Sequence, residues 1–189
     1  KLPVASGMAS YDPFTKTLAL DEAVINASGE EEGIKSKIDG LTIRVSGDNI
    51  IVTGGFSALK TEKTHTAITG AGKLALSGND FGLYAMSGGF VTIENCEIDC
   101  DGSFGTNNDN AEITINNSTI TAKSKKSYET MRGIQKLTLN GCAITEPEGA
   151  VYDPALRGIA LNGELVYGKV VIKGESVTKY GLTICGEEV

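Results

Sequence analysis

The sequence predicts an all-β chain wound as a parallel β-solenoid, and three observations carry that expectation. One short pattern recurs along the chain, its apolar residues alternate with period two, and glycine is abundant at 24 of 189 residues, with no Trp and only 6% aromatics. Glycine at nearly twice its usual share of about 7% suits many short strands joined by tight corners. A core with so few rings must be filled by Ile, Leu, Val and Ala.

Four stretches align without a gap: Leu18-Ala-Leu-Asp-Glu-Ala-Val-Ile25, Val91-Thr-Ile-Glu-Asn-Cys-Glu-Ile98, Ile113-Thr-Ile-Asn-Asn-Ser-Thr-Ile120 and Leu137-Thr-Leu-Asn-Gly-Cys-Ala-Ile144. Shorter copies are Leu41-Thr-Ile43, Leu74-Ala-Leu76, Val170-Val-Ile172 and Leu182-Thr-Ile184. Each full copy reads as strand, two-residue corner, strand, and no 3.6-residue period persists anywhere. Read at the second aliphatic, the copies step by 93 − 76 = 17, 115 − 93 = 22 and 139 − 115 = 24 residues, the size of one solenoid coil. Glycine-aliphatic pairs (Gly33-Ile34, Gly82-Leu83, Gly133-Ile134, Gly158-Ile159) supply a third strand. The expected object is a triangular β-helix of seven to eight short coils forming one domain over residues 1–189. Residues 1–16 would cap its start, and 173–189 would form a terminal coil and tail.

Stacking then predicts ladders. Val91, Ile113 and Leu137, and likewise Ile93, Ile115 and Leu139, should point inward, while Asn95, Asn117 and Gly141 share a corner. Asn and Gly tolerate positive φ, so this column reads as bend-formers. Cys96, Ser118 and Cys142 share a small inward column with Ala23. Cys96 and Cys142 would be two coils, roughly 9–10 Å, apart, beyond disulfide reach. Four free thiols, most of them buried, are expected, and the single histidine, His65, reads as a surface residue rather than a metal ligand.

The net charge of −7 and pI near 4.8, with one basic cluster at Lys123, Lys125 and Lys126, argue against a nucleic-acid partner. No apolar run approaches the roughly 20 residues of a membrane-spanning helix. Outward Thr92, Thr114 and Thr138, flanked by Thr42, fit an exposed pleat and match too few regular coils for an ice-binding array. The densest set of oxygen ligands is Glu94, Glu97, Asp99 and Asp101 followed by Asn107, Asn108, Asp109 and Asn110, of which Glu97, Asp99, Asp101, Asn107, Asn108 and Asp109 are the candidate calcium ligands, although Asp, Asn and Gly also make ordinary turns. The same carboxylates could meet the roughly 5–10 Å separation of a glycoside hydrolase. A lyase would need a base, for which Lys123 and then Arg132 are the candidates. One histidine gives no nucleophile–histidine pair, and no catalytic residue is assigned.

The stretches Tyr11-Asp-Pro-Phe-Thr-Lys-Thr-Leu-Ala-Leu20, Gly33-Ile-Lys-Ser36 and Leu41-Thr-Ile-Arg-Val-Ser-Gly-Asp-Asn49, with Ile68-Thr-Gly-Ala-Gly-Lys-Leu-Ala-Leu-Ser-Gly78, Gly158-Ile-Ala-Leu161 and Gly168-Lys-Val-Val-Ile172, cover nearly the whole chain. In them the chain resembles the small right-handed parallel β-helix carbohydrate-binding domains of secreted and surface proteins from anaerobic bacteria. These are scaffold motifs and speak to fold more than to activity. The resemblance implies a secreted or cell-surface location and binding of plant cell-wall polymers, acidic pectin-like chains or cellulose, with calcium as a helper. A −7 chain needs a basic loop or a bridging cation to hold a polyanion, and Lys123, Lys125 and Lys126 lie close in sequence to the Asp/Asn cluster. Tyr84, Phe104 and Tyr128 are the candidate sugar-stacking rings, each of which could equally be a corner residue packing on the solenoid, Phe104 and Tyr84 above all, and the absence of Trp favours the acidic polymer over cellulose. A structural spacer of the cell envelope and a polysaccharide lyase or hydrolase are the alternatives.

Overall fold

Alternating apolar residues require one face of every strand to be buried, and a single strand cannot do this alone. In the computed structural model, which describes residues 4–27, 29, 31–107 and 110–174, strands from successive turns stack and bury those faces against one another. The first coil holds β1 (Val4–Asp12), β2 (Thr17–Ala27) and β3 (Ile34–Ser36), and the second holds β4 (Leu41–Ser46), β5 (Asp48–Thr53) and β6 (Ser57–Glu62). β7 (His65–Thr69) and the long, bent β8 (Lys73–Met86) make the third, β9 (Phe90–Glu94) and β10 (Glu97–Gly105) the fourth. β11 (Ala111–Asn116), β12 (Thr119–Lys123) and β13 (Met131–Arg132) make the fifth. After them come β14 (Ile134–Asn140), β15 (Cys142–Glu146), β16 (Val151–Asp153), β17 (Gly158–Leu161), β18 (Glu164–Leu165) and β19 (Val170–Gly174). The described chain is all-β, without a helix, in a solenoid of about five turns.

Three parallel faces result. On the first, β2, β4, β7, β9, β11 and β14 stack so that Leu18, Ile43, Ile68, Ile93, Ile115 and Leu139 form one inward ladder. Its first four members keep a constant step, since 43 − 18, 68 − 43 and 93 − 68 are each 25. On the second face the end of β2, β5, the start of β8, the start of β10 and β12 align Ile25, Ile51, Leu76, Cys100 and Ala122. On the third, Ile34, Leu59, Leu83, Phe104 and Met131 align through β3, β6, β8, β10 and β13. Every member of these ladders except Leu139 is buried.

The corners use local chemistry. Asn95, Asn117 and Gly141 all take positive φ (55°, 45° and 62°), as the bend-forming column predicts. Asn49 is buried yet satisfied: its Oδ1 accepts from Ala23 N (2.9 Å) and its Nδ2 donates to Ser46 O (2.9 Å), so one side chain ties two coils together. Cys96, Cys100 and Cys142 are buried, and burial pushes the Cys96 thiol up to about 11. Cys185 lies outside the described residues. Among these residues no helix is long and apolar enough to cross a membrane.

The register differs from the sequence alignment in three places. Leu74-Ala-Leu76 stacks on the second face, where Leu74 meets Ile98 and Leu76 meets Cys100, so it shares a coil with Ile68 rather than making its own, and the 17-residue step dissolves. The copy at Leu18 is slipped by two residues: Leu18 stands in the ladder of Ile93 instead of Val91, and Ile25 in that of Cys100 instead of Ile98. A two-residue slip keeps every side chain on its own face and so leaves the burial pattern unchanged. Finally, Ile134 begins a first-face strand, Gly158-Ile159 opens an antiparallel sheet of β16, β17 and β18, and Val170-Val-Ile172 runs antiparallel. With Leu182-Thr-Ile184 outside the described residues, about five turns remain where seven to eight are expected.

The two ends close differently. β1 lies antiparallel along β2, turning at a tip that leaves Phe14 96% exposed. At the other end β14 continues the first face, but β15 does not reach β12, because β19 lies antiparallel between them.

Candidate functional site

The second face carries most of the charged residues singled out from the sequence. Its outward positions place Glu97 beside Lys73 and Thr119, Asp99 beside Ala75 and Thr121, and Asp101 beside Ser77 and Lys123. Lys73 Nζ bridges Glu97 Oε1 (3.1 Å) and Asp99 Oδ2 (2.5 Å), and these acceptors, Asp99 first, hold its ammonium above the ordinary lysine range. Asp101 receives Lys125 Nζ (3.0 Å) and the Ser77 hydroxyl (3.2 Å). The carboxylates thus form a ladder neutralised by lysines rather than a cage converging on one point. Asn107 is exposed in the turn after β10, past the third face, and Asn108 and Asp109 lie outside the described residues. Among the described residues no three His, Cys, Asp or Glu side chains are grouped to hold a metal ion.

The segment after β12 brings the basic candidates onto one edge. Lys123 is exposed at the end of β12, Lys125 reaches Ser77 Oγ (2.8 Å) as well as Asp101, and Lys126 pairs with Asp80 (3.0 Å). Ser124 anchors this loop by donating to Lys126 O (3.1 Å). Tyr84 points outward from the third face but is only 6% exposed: Phe56 and Phe81 cover it at 5.2 and 4.7 Å. As placed, its ring offers no open face to a sugar. Tyr128 is 39% exposed, with the Arg132 guanidinium over one face of its ring.

Next to Tyr128 in the chain, Glu129 and Arg132 line a pocket that no sequence pattern announces. A cavity of about 280 Å³ lies between the solenoid, which supplies Glu129, Arg132 and Gly133, and the antiparallel insert, which supplies Leu156, Arg157 and Leu165. The Arg132 guanidinium sits between Phe81 (5.1 Å) and Tyr128 (4.6 Å), a stack that fixes its plane. Its Nη1 meets Glu129 Oε2 at 3.4 Å, while its Nε is buried without an acceptor among the described residues. Tyr167, 56% exposed, donates its hydroxyl to Glu129 Oε1 (3.2 Å), and that carboxylate raises the phenol above its usual range. Arg157 donates to Asn110 Oδ1 (2.6 Å).

Backbone bonds hold the insert to the solenoid: Thr130 N donates to Val166 O (2.8 Å), Ile134 N to Arg157 O (2.8 Å), and the Thr130 hydroxyl to Gly168 O (2.5 Å). The Tyr152 hydroxyl adds bonds to Ile134 O and Gln135 O (2.9 and 2.6 Å). Arg132, weighed from the sequence only as a lyase base, is here a stacked cation. Glu129, Arg157 and Tyr167 escape a sequence reading because the insert has no repeat, and nothing local shows that residues so far apart in sequence meet. The one local signal is Tyr167-Gly168 standing just before an apolar run.

A second feature lies on the first face. The outward column runs Thr17, Thr42, Ala67, Thr92, Thr114, Thr138, longer than the sequence alignment shows. Beside it His65 stacks on Phe90 (centroids 4.5 Å apart) and bonds Asp39 through Nδ1 (2.9 Å). Charged and amide neighbours such as Arg44, Glu94 and Asn116 flank the column, so it is not a flat array of threonines.

No protein family, curated protein or solved structure matches this chain.

Proposed function

We propose that this solenoid is a non-catalytic polysaccharide-binding module whose ligand is an acidic, uronate-containing polymer, carried on right-handed coils outside the cell. The observation that carries the reading is the pocket lined by Arg132 and Arg157, with two exposed tyrosines on its lining residues, Tyr128 against Arg132 and Tyr167 bonded to Glu129, a few residues along the chain from Lys125 and Lys126. An exposed tyrosine ring gives a sugar an apolar face and its hydroxyl a polar edge. A guanidinium reads a carboxylate with two parallel N–H donors, and Arg132 lines the pocket with its plane already fixed against Tyr128. These features suit a charged sugar better than a neutral one.

Binding rather than cleavage is favoured by the pocket's acids. Among the described residues Glu129 is the one carboxylate in its lining, and it is engaged by Arg132 and Tyr167. Hydrolysis by a carboxylate pair needs a second acid about 5–10 Å away across the bond.

The test is retention on polygalacturonate and on cellulose, with calcium and with a chelator, together with an assay for released reducing ends. Retention by polygalacturonate without released ends is expected, weakened by Arg132→Gln. Released ends would make the chain an enzyme, and retention by neither polymer would leave a structural spacer. The calcium arm assigns the ion: retention lost in chelator places it in the complex, and retention kept leaves the cationic side chains as the ligands.

A further inference from the structure

The last coil is spread open by a strand of its own chain. β14 sits on β11 in parallel register, with Ile113 on Leu137 and Ile115 on Leu139. One corner later β15 should sit on β12 in the same way, and the aligned sequence would put Ile144 on Ile120. Instead β19 occupies the gap, pairing Ile172 with Ile120 on one side and with Ile144 on the other. The intruder changes direction but not register. Removing it and closing the gap by one strand spacing, about 4.8 Å, would bring Ile144 onto Ile120 with every inward residue still inward.

The coil therefore has two closures that satisfy the same ladders. One is seen here, with Val170 and Ile172 fully buried and Val171 nearly so. The other is parallel and omits β19. β19 also follows closely on one wall of the pocket, because only residues 166–169 separate it from the lining residue Leu165, and Tyr167 among them bonds the lining residue Glu129. The same short stretch is tied to the solenoid through Gly168 O and the Lys169–Glu146 pair (3.0 Å).

We propose that β19 is a latch: inserted, it holds Tyr167 and Leu165 against Glu129 and Arg132 and completes the pocket; withdrawn, it lets β15 close on β12 and takes that wall away. A ligand held by both walls binds the inserted state better, and by linkage it must favour insertion. This coupling rests on the polysaccharide reading. The existence of two closures does not.

Cysteine trapping separates the two. In the parallel closure Thr121 would face Thr145 across one strand spacing, whereas here β19 intervenes and the backbones are two spacings, about 9.6 Å, apart, too far for a disulfide. The double variant Thr121→Cys/Thr145→Cys is oxidised with and without a galacturonate oligomer, and the bond is identified by peptide mapping, since Cys96, Cys100 and Cys142 are buried. The expected result is slow accumulation of the 121–145 disulfide, faster when Ile172→Asp makes insertion unfavourable. The oligomer should retard it in the parent and not in that third variant. If the disulfide forms in neither background while circular dichroism shows both folded, the latch is overturned. If the oligomer binds but leaves the trapping rate unchanged, the coupling is overturned. An oligomer that does not bind contradicts the functional reading, and the trapping yield still decides the latch. Should Ile172→Asp not fold, the parent's yield decides alone.

Discussion

The stretch from β2 to β13 and the stretch from β14 to β19 solve the same problem in opposite ways. In the first, one local pattern repeats, every neighbour on the three faces is parallel, and corners are set by Asn49, Asn95 and Asn117. In the second, every strand after the parallel β14 pairs antiparallel, an insert leaves the stack, and β19 wedges the last coil open. The regular stretch spends its aliphatics on a common core and presents outward charges already matched to each other, such as Lys73 with Glu97 and Asp99. The irregular stretch brings together residues that repetition would keep apart: Tyr128 and Arg132 from the solenoid, Arg157 from the insert, and Tyr167 from the short segment between the insert and β19. Repetition builds stability, and its interruption builds a site.

That contrast can be broken first in the core. Phe104 is fully buried between Leu83 and Met131, and Phe104→Ala should lower the free energy of unfolding by about 3–5 kcal/mol in denaturant titration. A loss under about 1 kcal/mol would mean the third-face ladder is not cooperative with the rest. Next in size is an effect on binding alone. Tyr167→Ala removes a ring that is 56% exposed, so stability should move by no more than about 0.5 kcal/mol while affinity for a galacturonate oligomer falls about tenfold.

Smaller effects concern the charged face. Lys73→Met should cost up to about 1 kcal/mol at low salt and almost nothing at high salt, since the pair with Asp99 is partly exposed. Because Lys73 is raised in the folded state, its contribution is complete below the ordinary lysine range and disappears only as pH rises through the higher folded value. Asp39 works in the other direction and is the smallest effect. Hydrogen bonds from the His65 N–H and then its ring lower this carboxyl, so its contribution is present above the ordinary aspartate range and is lost as pH falls through the lower folded value. Asp39→Ala should lower the melting temperature slightly at neutral pH and leave it unchanged below the lower folded value, which flattens that part of an acid-unfolding profile.

The fold is legible where chemistry is local. Period-two alternation at Ile113-Thr-Ile115 marks a strand without reference to any partner, and Asn117 marks a corner because its φ of 45° is one that asparagine tolerates. What is not legible depends on partners. Leu74-Ala-Leu76 and Leu137-Thr-Leu139 look alike but stack on different faces, and only the pairing with Ile98 or Ile113 distinguishes them. Val170-Val-Ile172 has the composition of another coil strand, yet nothing in three aliphatics specifies direction. The site obeys the same rule. Lys125, Lys126 and Tyr128 stand out because they are neighbours in sequence, while Tyr84 reads as a sugar platform only until its cover, Phe56, arrives from another coil. The six candidate calcium ligands lie close along the chain, while in space β10 bends after Asp101, and lysines from β8 and from the loop after β12 engage the acids of the second face.

Hydrogen exchange with and without a galacturonate oligomer decides whether binding belongs to the irregular stretch, because it reports on both regions at once. The oligomer is expected to slow exchange across residues 128–132 and 156–172 and to leave β4, β7 and β9 unchanged. Protection running instead along the Thr42, Thr92 and Thr114 column, with the pocket unaffected, would contradict that assignment.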